Sequence, residues 1–172
     1  MSDSRTVGGL PIVHVSIGEV KVGRGTDILK ASLGSCVGIA FLWKRRGVHG
    51  LAHCLLPEAP PELAHKIGTI SARFVSQAVP SLLALMRIAP EDRNEIDVVL
   101  VGGGNMTAPA EADATTLVGT LNSEAGVKYL KHFGMNLVHK DVGGEAGRKI
   151  WVYCETGEYK VEVIPRIGAV DA

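Results

Sequence analysis

At 172 residues the chain fits one ordinary domain, and a chain of about 150 residues buries roughly 68–70% of the surface its unfolded form exposes. Its 18 basic residues balance 18 acidic ones, so there is no broad basic field to hold phosphates, and nucleic acid is excluded as a main partner. No leader-like N-terminus and no apolar run of ~18 residues is present, which predicts a soluble, cytoplasmic protein without membrane insertion. The three cysteines, Cys36, Cys54 and Cys154, are too scattered for a disulfide framework or for zinc-ligand spacing, so reduced thiols and no metal site are expected.

Residues 1–11 read as a flexible N-terminus and 12–172 as a single domain. The β-branched run from Ile12 to Val22 predicts a first strand or hairpin. Two apolar runs follow, Val37–Trp43 and Val48–Leu56, separated by Lys44, Arg45, Arg46 and Gly47 in a hairpin pattern. Glu62 to Met86 has helical composition in two pieces, with Pro80 marking a kink or a new start. Ile96–Val101 reads as a buried strand running into the turn Gly102-Gly103-Gly104. Residues 105–119 suggest a mobile loop, after which Asn122 or Ser123 caps a helix ending near Gly134. Strands at Met135–Val142, Lys149–Cys154 and Tyr159–Ile164 close the chain, and this order of elements predicts an α+β fold of β-sheets flanked by helices.

If the hairpin turns tightly between Lys44 and Arg45, Cys36 falls directly opposite His53, within thiol–imidazole reach on one face. Cys54, next along the strand, then points to the other face as core. A neighbouring imidazole or lysine favours the nucleophilic thiolate, and Gly34 with Ser35 lets the backbone turn its N–H groups inward as an oxyanion hole requires. The plainer alternative makes Gly34 a strand entry and His53 a satisfied core histidine. Gly102, Gly104 and Asn105 lack the remaining glycine of a dinucleotide loop and the Gly-Lys-Ser/Thr of a phosphate loop. His49, His65, His132 and His139 show no ligand spacing, and combining His14, Glu19 or Asp27 with them is arbitrary from the sequence alone. For Gly143, Gly144 and Arg148, a plain hairpin turn and a substrate contact both remain open.

The run Leu33-Gly34-Ser35-Cys36-Val37 and the run Gly50-Leu51-Ala52-His53-Cys54-Leu55-Leu56-Pro57 together resemble the signature of the chemoreceptor glutamine deamidase (CheD) family. Gly102-Gly103-Gly104-Asn105-Met106, Asp141 to Arg148 and Glu155-Thr156-Gly157-Glu158 match in the same order, so the similarity spans roughly residues 12–163. The resemblance implies a fold like that of toxin-type cysteine deamidases and a protein-glutamine deamidase of bacterial chemotaxis that needs no cofactor. It implies Cys36 as nucleophile, His53 as base, the cytoplasmic helices of methyl-accepting chemoreceptors as substrate and a CheC-type phosphatase as partner. A threonine of the family, six residues before the cysteine, is here Lys30. Ser32, sharing strand parity with Cys36, is then the candidate for the third catalytic group that accepts from His53, with Lys30 as a modulator of the thiol. The family's glycine–arginine–asparagine helix start is also replaced, by Leu121-Asn122-Ser123-Glu124-Ala125, which predicts altered substrate or partner contacts. Two competing readings are a weakly catalytic or non-catalytic module that docks onto receptors or the phosphatase, and a cysteine amidase acting on a small molecule.

Overall fold

The computed structural model describes residues 5–7, 10–64, 68–107 and 112–166; His65 lies outside them. Strand pairing starts inside the segment expected to fray, because β1 (Arg5–Val7) lies antiparallel to β2 (Leu10–His14). The β-branched run is not a hairpin. Its second half, β3 (Val20–Arg24), joins a different sheet, while β2 pairs in parallel with β4 (Ile28–Leu33), a strand the sequence pattern did not announce.

The two apolar runs form β5 (Val37–Trp43) and β6 (Val48–Cys54), and every residue of β5 is buried, as expected of a strand covered on both faces. The helical stretch yields a short α1 (Pro61–Ala64) and α2 (Val75–Leu85), with Pro80 inside α2. Then come β7 (Asp97–Gly102), α3 (Val118–His132), β8 (Asn136–Val142), β9 (Gly147–Tyr153) and β10 (Glu158–Ile164).

These strands make two five-stranded sheets, ordered β1-β2-β4-β9-β10 and β3-β6-β5-β7-β8. One core lies between the sheets and includes Leu29, Leu33, Cys36, Ala40, Leu42, Leu51, Val99 and Ile150. The other lies between the second sheet and the helices and includes Val37, Ile39, Phe41, Cys54, Val79, Leu82 and Leu130. The fold is α+β, with α2 and α3 packed on the second sheet. Alternation along β5 and β6 therefore sends Cys36 and Cys54 into different cores.

The hairpin turn differs from the tight turn expected. Trp43 faces Val48, so Lys44 to Gly47 form a four-residue loop, closed by Gly47 at φ 63°, a left-handed conformation that glycine adopts without penalty. The register moves by two residues: His53 stands opposite Gly38, and Cys36 sits one position before the strand begins. An even shift leaves side chains on their original face, so Cys36 and His53 are diagonal neighbours facing the inter-sheet core. Diagonal sites are roughly 7–8 Å apart at the backbone, within reach of a long side chain such as imidazole.

His49 is a core histidine, four residues before His53 on the same face. Its Nδ1 accepts the Trp43 N–H at 3.2 Å, and burial lowers its pKa. His132 and His139 are exposed, the latter hydrogen-bonded through Nδ1 to the Tyr159 hydroxyl at 2.9 Å.

Candidate active site

His53 is held from three sides by the bend between β2 and β3. Its N–H donates to the Glu19 carbonyl at 3.0 Å, its carbonyl accepts from Gly18 N–H at 2.8 Å, and its Nδ1 lies 2.9 Å from the Val15 carbonyl oxygen. A carbonyl can only accept, so Nδ1 carries the proton and Nε2 keeps its lone pair. Nε2 is buried and has no protein partner, the state required of a base awaiting a proton. Burial lowers the His53 pKa, and the Val15 bond and the Glu19 carboxylate oppose that fall.

Cys36 follows a bend in which each carbonyl is tied down. Gly34 O accepts from Gly104 N–H at 2.9 Å, Ser35 O from Asn122 Nδ2 at 2.9 Å, and Cys36 O from Gly103 N–H at 2.8 Å. Among the described residues the amides of Ser35 and Cys36 donate to none of the turn and loop carbonyls. Burial raises the Cys36 thiol pKa, and only its own backbone N–H opposes this. Burial therefore favours the uncharged form of both the thiol and the imidazole. Cys154 is pushed up to about 12 and the fully buried Cys54 is raised as well, both chiefly by burial.

The supporting residues expected from the sequence lie elsewhere. Ser32 is exposed between the buried Ala31 and Leu33, on the face of β4 that points away from the inter-sheet core, because the bend at Gly34 and Ser35 breaks the parity linking it to Cys36. The acceptor for His53 is the Val15 carbonyl instead. Lys30 shares that outer face, its ammonium 5.3 Å from the centre of the Trp151 ring, and so it does not reach the thiol. Ser32→Ala should therefore leave ammonia release and Cys36 alkylation unchanged; a tenfold loss in a folded variant would restore Ser32 to the site.

Arg148 is 7% exposed and its terminal guanidinium nitrogens donate to the chain itself, to Gly143 O at 2.6 Å, Ala146 O at 2.9 Å and Asp141 Oδ1 at 3.2 Å. Gly143 N–H binds Gly102 O and Gly144 O accepts from Asn105 N–H. The segment is a turn pinned against the glycine turn at the end of β7, and the substrate-contact role considered for Gly143, Gly144 and Arg148 gains no support from this geometry.

Asn122 was misassigned from the sequence. α3 starts at Val118 after Leu117, which makes no side-chain cap, and Asn122 lies a full turn inside it. Its Nδ2 reaches Ser35 O and Leu55 O. The signal in the sequence is the spacing of Gly119, Asn122, Ser123 and Gly126, a small-residue face on a helix. A groove of about 550 Å³ runs beside the bend, lined by Gly34, Ser35, Gly104, Asn105, Met106 and Val118 among others. Among the described residues no group of three or more His, Cys, Asp or Glu is placed to hold a metal ion, and no helix is long and apolar enough to cross a membrane.

The family model for CheD chemotactic sensory transduction matches residues 55–163. A Ruegeria protein named probable chemoreceptor glutamine deamidase CheD 2 is 39% identical over 168 residues, covering 91% of this chain and 94% of its own. A probable chemoreceptor glutamine deamidase CheD of Bdellovibrio bacteriovorus is 35% identical, covering 91% and 98%, and one of Archaeoglobus fulgidus is 30% identical, covering 87% and 92%. The solved structure of a Neisseria meningitidis protein covers 91% of this chain and 76% of its own at a TM-score of 0.47 and 12% identity, too distant to inform fold or function. With identity at this level along nearly the whole length of its relatives, the chain belongs to the CheD family.

Proposed function

We propose that this chain is a cysteine-dependent protein-glutamine deamidase acting on chemoreceptors, with Cys36 as nucleophile and His53 as general acid and base. The observation that carries the reading is His53: protonated on Nδ1 by its bond to the Val15 carbonyl, unpartnered on Nε2, and on the same inter-sheet face as the thiol that follows the bend. Nε2 takes the thiol proton as Sγ attacks the carboxamide carbon, and the resulting oxyanion is received by the Ser35 and Cys36 amides. The imidazolium then returns the proton to the leaving ammonia. Nε2 next activates water, which cleaves the thioester to leave glutamate and the free thiol. A pair that is neutral at rest passes one proton in each step and needs no stored thiolate. The cytoplasmic helices of the receptor as substrate, a CheC-type phosphatase as partner and a cytoplasmic location belong to the same proposal.

Ammonia release from a receptor cytoplasmic fragment, compared with free glutamine, tests the substrate class. The fragment should be turned over far more efficiently, since contacts remote from the carboxamide orient it. Efficient turnover of free glutamine would favour a small-molecule amidase, and no turnover of either would favour a docking module.

Because His53 must be neutral to act and burial holds its pKa below 6.5, the acid limb of kcat/KM should fall below pH 6.5. The Glu19 carboxylate raises the His53 pKa, so Glu19→Gln should move that limb to still lower pH. A limb that moves upward, or stays fixed, would separate Glu19 from the base.

A further inference from the structure

We propose that Asn122 is a positioning residue for the Cys36–His53 pair, its amide clamping the peptide that precedes the nucleophile to the strand end that follows the base. The inference rests on the cysteine–histidine reading above and adds a third residue to it.

Asn122 is fully buried. Its Nδ2 donates to Ser35 O at 2.9 Å and to Leu55 O at 3.0 Å. Both acceptors are carbonyls, so the amide nitrogen must face them, and both of its protons are used. Ser35 immediately precedes Cys36, and Leu55 is two residues beyond His53, just past the end of β6. One side chain therefore spans the gap where β5 and β6 leave their hydrogen-bonded ladder, which is where a slip would move thiol and imidazole apart.

The helix is built to deliver it. A Cβ on Gly119 would stand 2.6 Å from Gly103 O, so α3 approaches the glycine turn at a distance that leaves no room for a side chain there, and a Cβ on Gly126 would stand 2.8 Å from Leu100 Cδ1 of β7. Ser123 bonds back to Gly119 O within the helix at 2.9 Å, while Asn122 crosses to the bend. Its Oδ1 is buried without a partner, an unfavourable arrangement that a residue selected for stability alone would avoid. A clamp that needs two donors and no acceptor accounts for it.

The test uses the full chain with Asn122→Leu, which keeps volume and removes both donors, and Asn122→Ser, which is small and retains one donor. Four quantities are measured for each: kcat and KM for ammonia release from a receptor fragment, the rate of Cys36 alkylation by iodoacetamide against pH, and the unfolding midpoint. The Leu variant should lose roughly tenfold or more in kcat with KM within about twofold, since a small misplacement of reacting groups acts on the chemical step. Its alkylation rate should no longer respond to His53→Ala, whereas in the parent His53→Ala slows alkylation. The Ser variant should fall between the two. A folded Asn122→Leu protein with parental kcat, or one in which His53→Ala still slows alkylation as in the parent, would overturn the clamp. If the Leu variant does not fold, the Ser variant carries the same comparison, and parental behaviour there overturns the proposal. The alkylation arm needs no turnover, so a parent that releases no ammonia would sink the deamidase reading while the clamp is still decided by alkylation.

Discussion

Cys36→Ala is expected to reduce ammonia release from receptor protein to background while the chain stays folded. The side chain is small and 7% exposed, so its removal costs about 1 kcal/mol of packing, far too little to unfold a domain of this size. Its chemistry has no substitute, because Cys54 faces the other core and Cys154 sits beside Gly23, where a Cβ would come within 2.7 Å of its Sγ. His53→Ala should cost roughly 10²–10⁴-fold, the usual worth of a positioned acid–base group. The double variant should be scarcely worse than Cys36→Ala alone, since the two residues act as one unit. Steady-state ammonia release with a parallel unfolding curve checks this. A folded Cys36→Ala protein that retains activity would remove the nucleophile from the account.

Gly102→Ala should damage both stability and activity. Gly102 has φ 109°, a conformation L-residues rarely adopt, and a Cβ there would overlap the Cys36 carbonyl oxygen and come within 3.2 Å of Val37 Cα. Strain of about 1–3 kcal/mol adds to overpacking of about 1–3 kcal/mol, and the clash falls on the carbonyl that Gly103 N–H holds at 2.8 Å. For a chain of this length that corresponds to a fall in Tm of roughly 10 °C, with loss of turnover as the nucleophile bend shifts. Gly144→Ala is the control. Its φ is also positive, 67°, but a Cβ there meets nothing within 4 Å, so it should lose a little stability and no activity. Parental Tm and turnover in Gly102→Ala would show that the bend tolerates movement.

These two residues illustrate how unevenly the sequence discloses the site. The hairpin was legible because apolar runs on either side of Lys44, Arg45 and Arg46 leave few alternatives, and β5 and β6 fall there. Its register was not, because whether a loop has two or four residues depends on where a left-handed residue is needed, and Gly47 rather than Arg45 supplies it. The even error preserved the face shared by Cys36 and His53, which is why the pair survived it. Ser32 was misplaced by carrying strand parity through a bend that has none. The partner of His53 left no trace at all, since a backbone carbonyl is the same at every residue and only the path from β2 to β3 brings that of Val15 to the ring. The split of β2 and β3 between two sheets was equally hidden, because the parallel pairing of β2 with β4 is set by packing across the core and not by local pattern. Asn122 read as a cap because asparagine favours that position, and its true place one turn inside α3 is settled by the close approach that Gly119 and Gly126 allow.

The central claim is covalent: Sγ of Cys36 carries the glutamyl group during turnover. Quenching the reaction of the parent protein with a receptor fragment in acid, followed by digestion and mass spectrometry, addresses it directly. A Cys36-containing peptide joined to a receptor peptide through a thioester, together with glutamate in place of glutamine in the released product, is the expected result. Conversion of glutamine to glutamate with no adduct on Cys36 at any quench time, and undiminished conversion by Cys36→Ala, would contradict it.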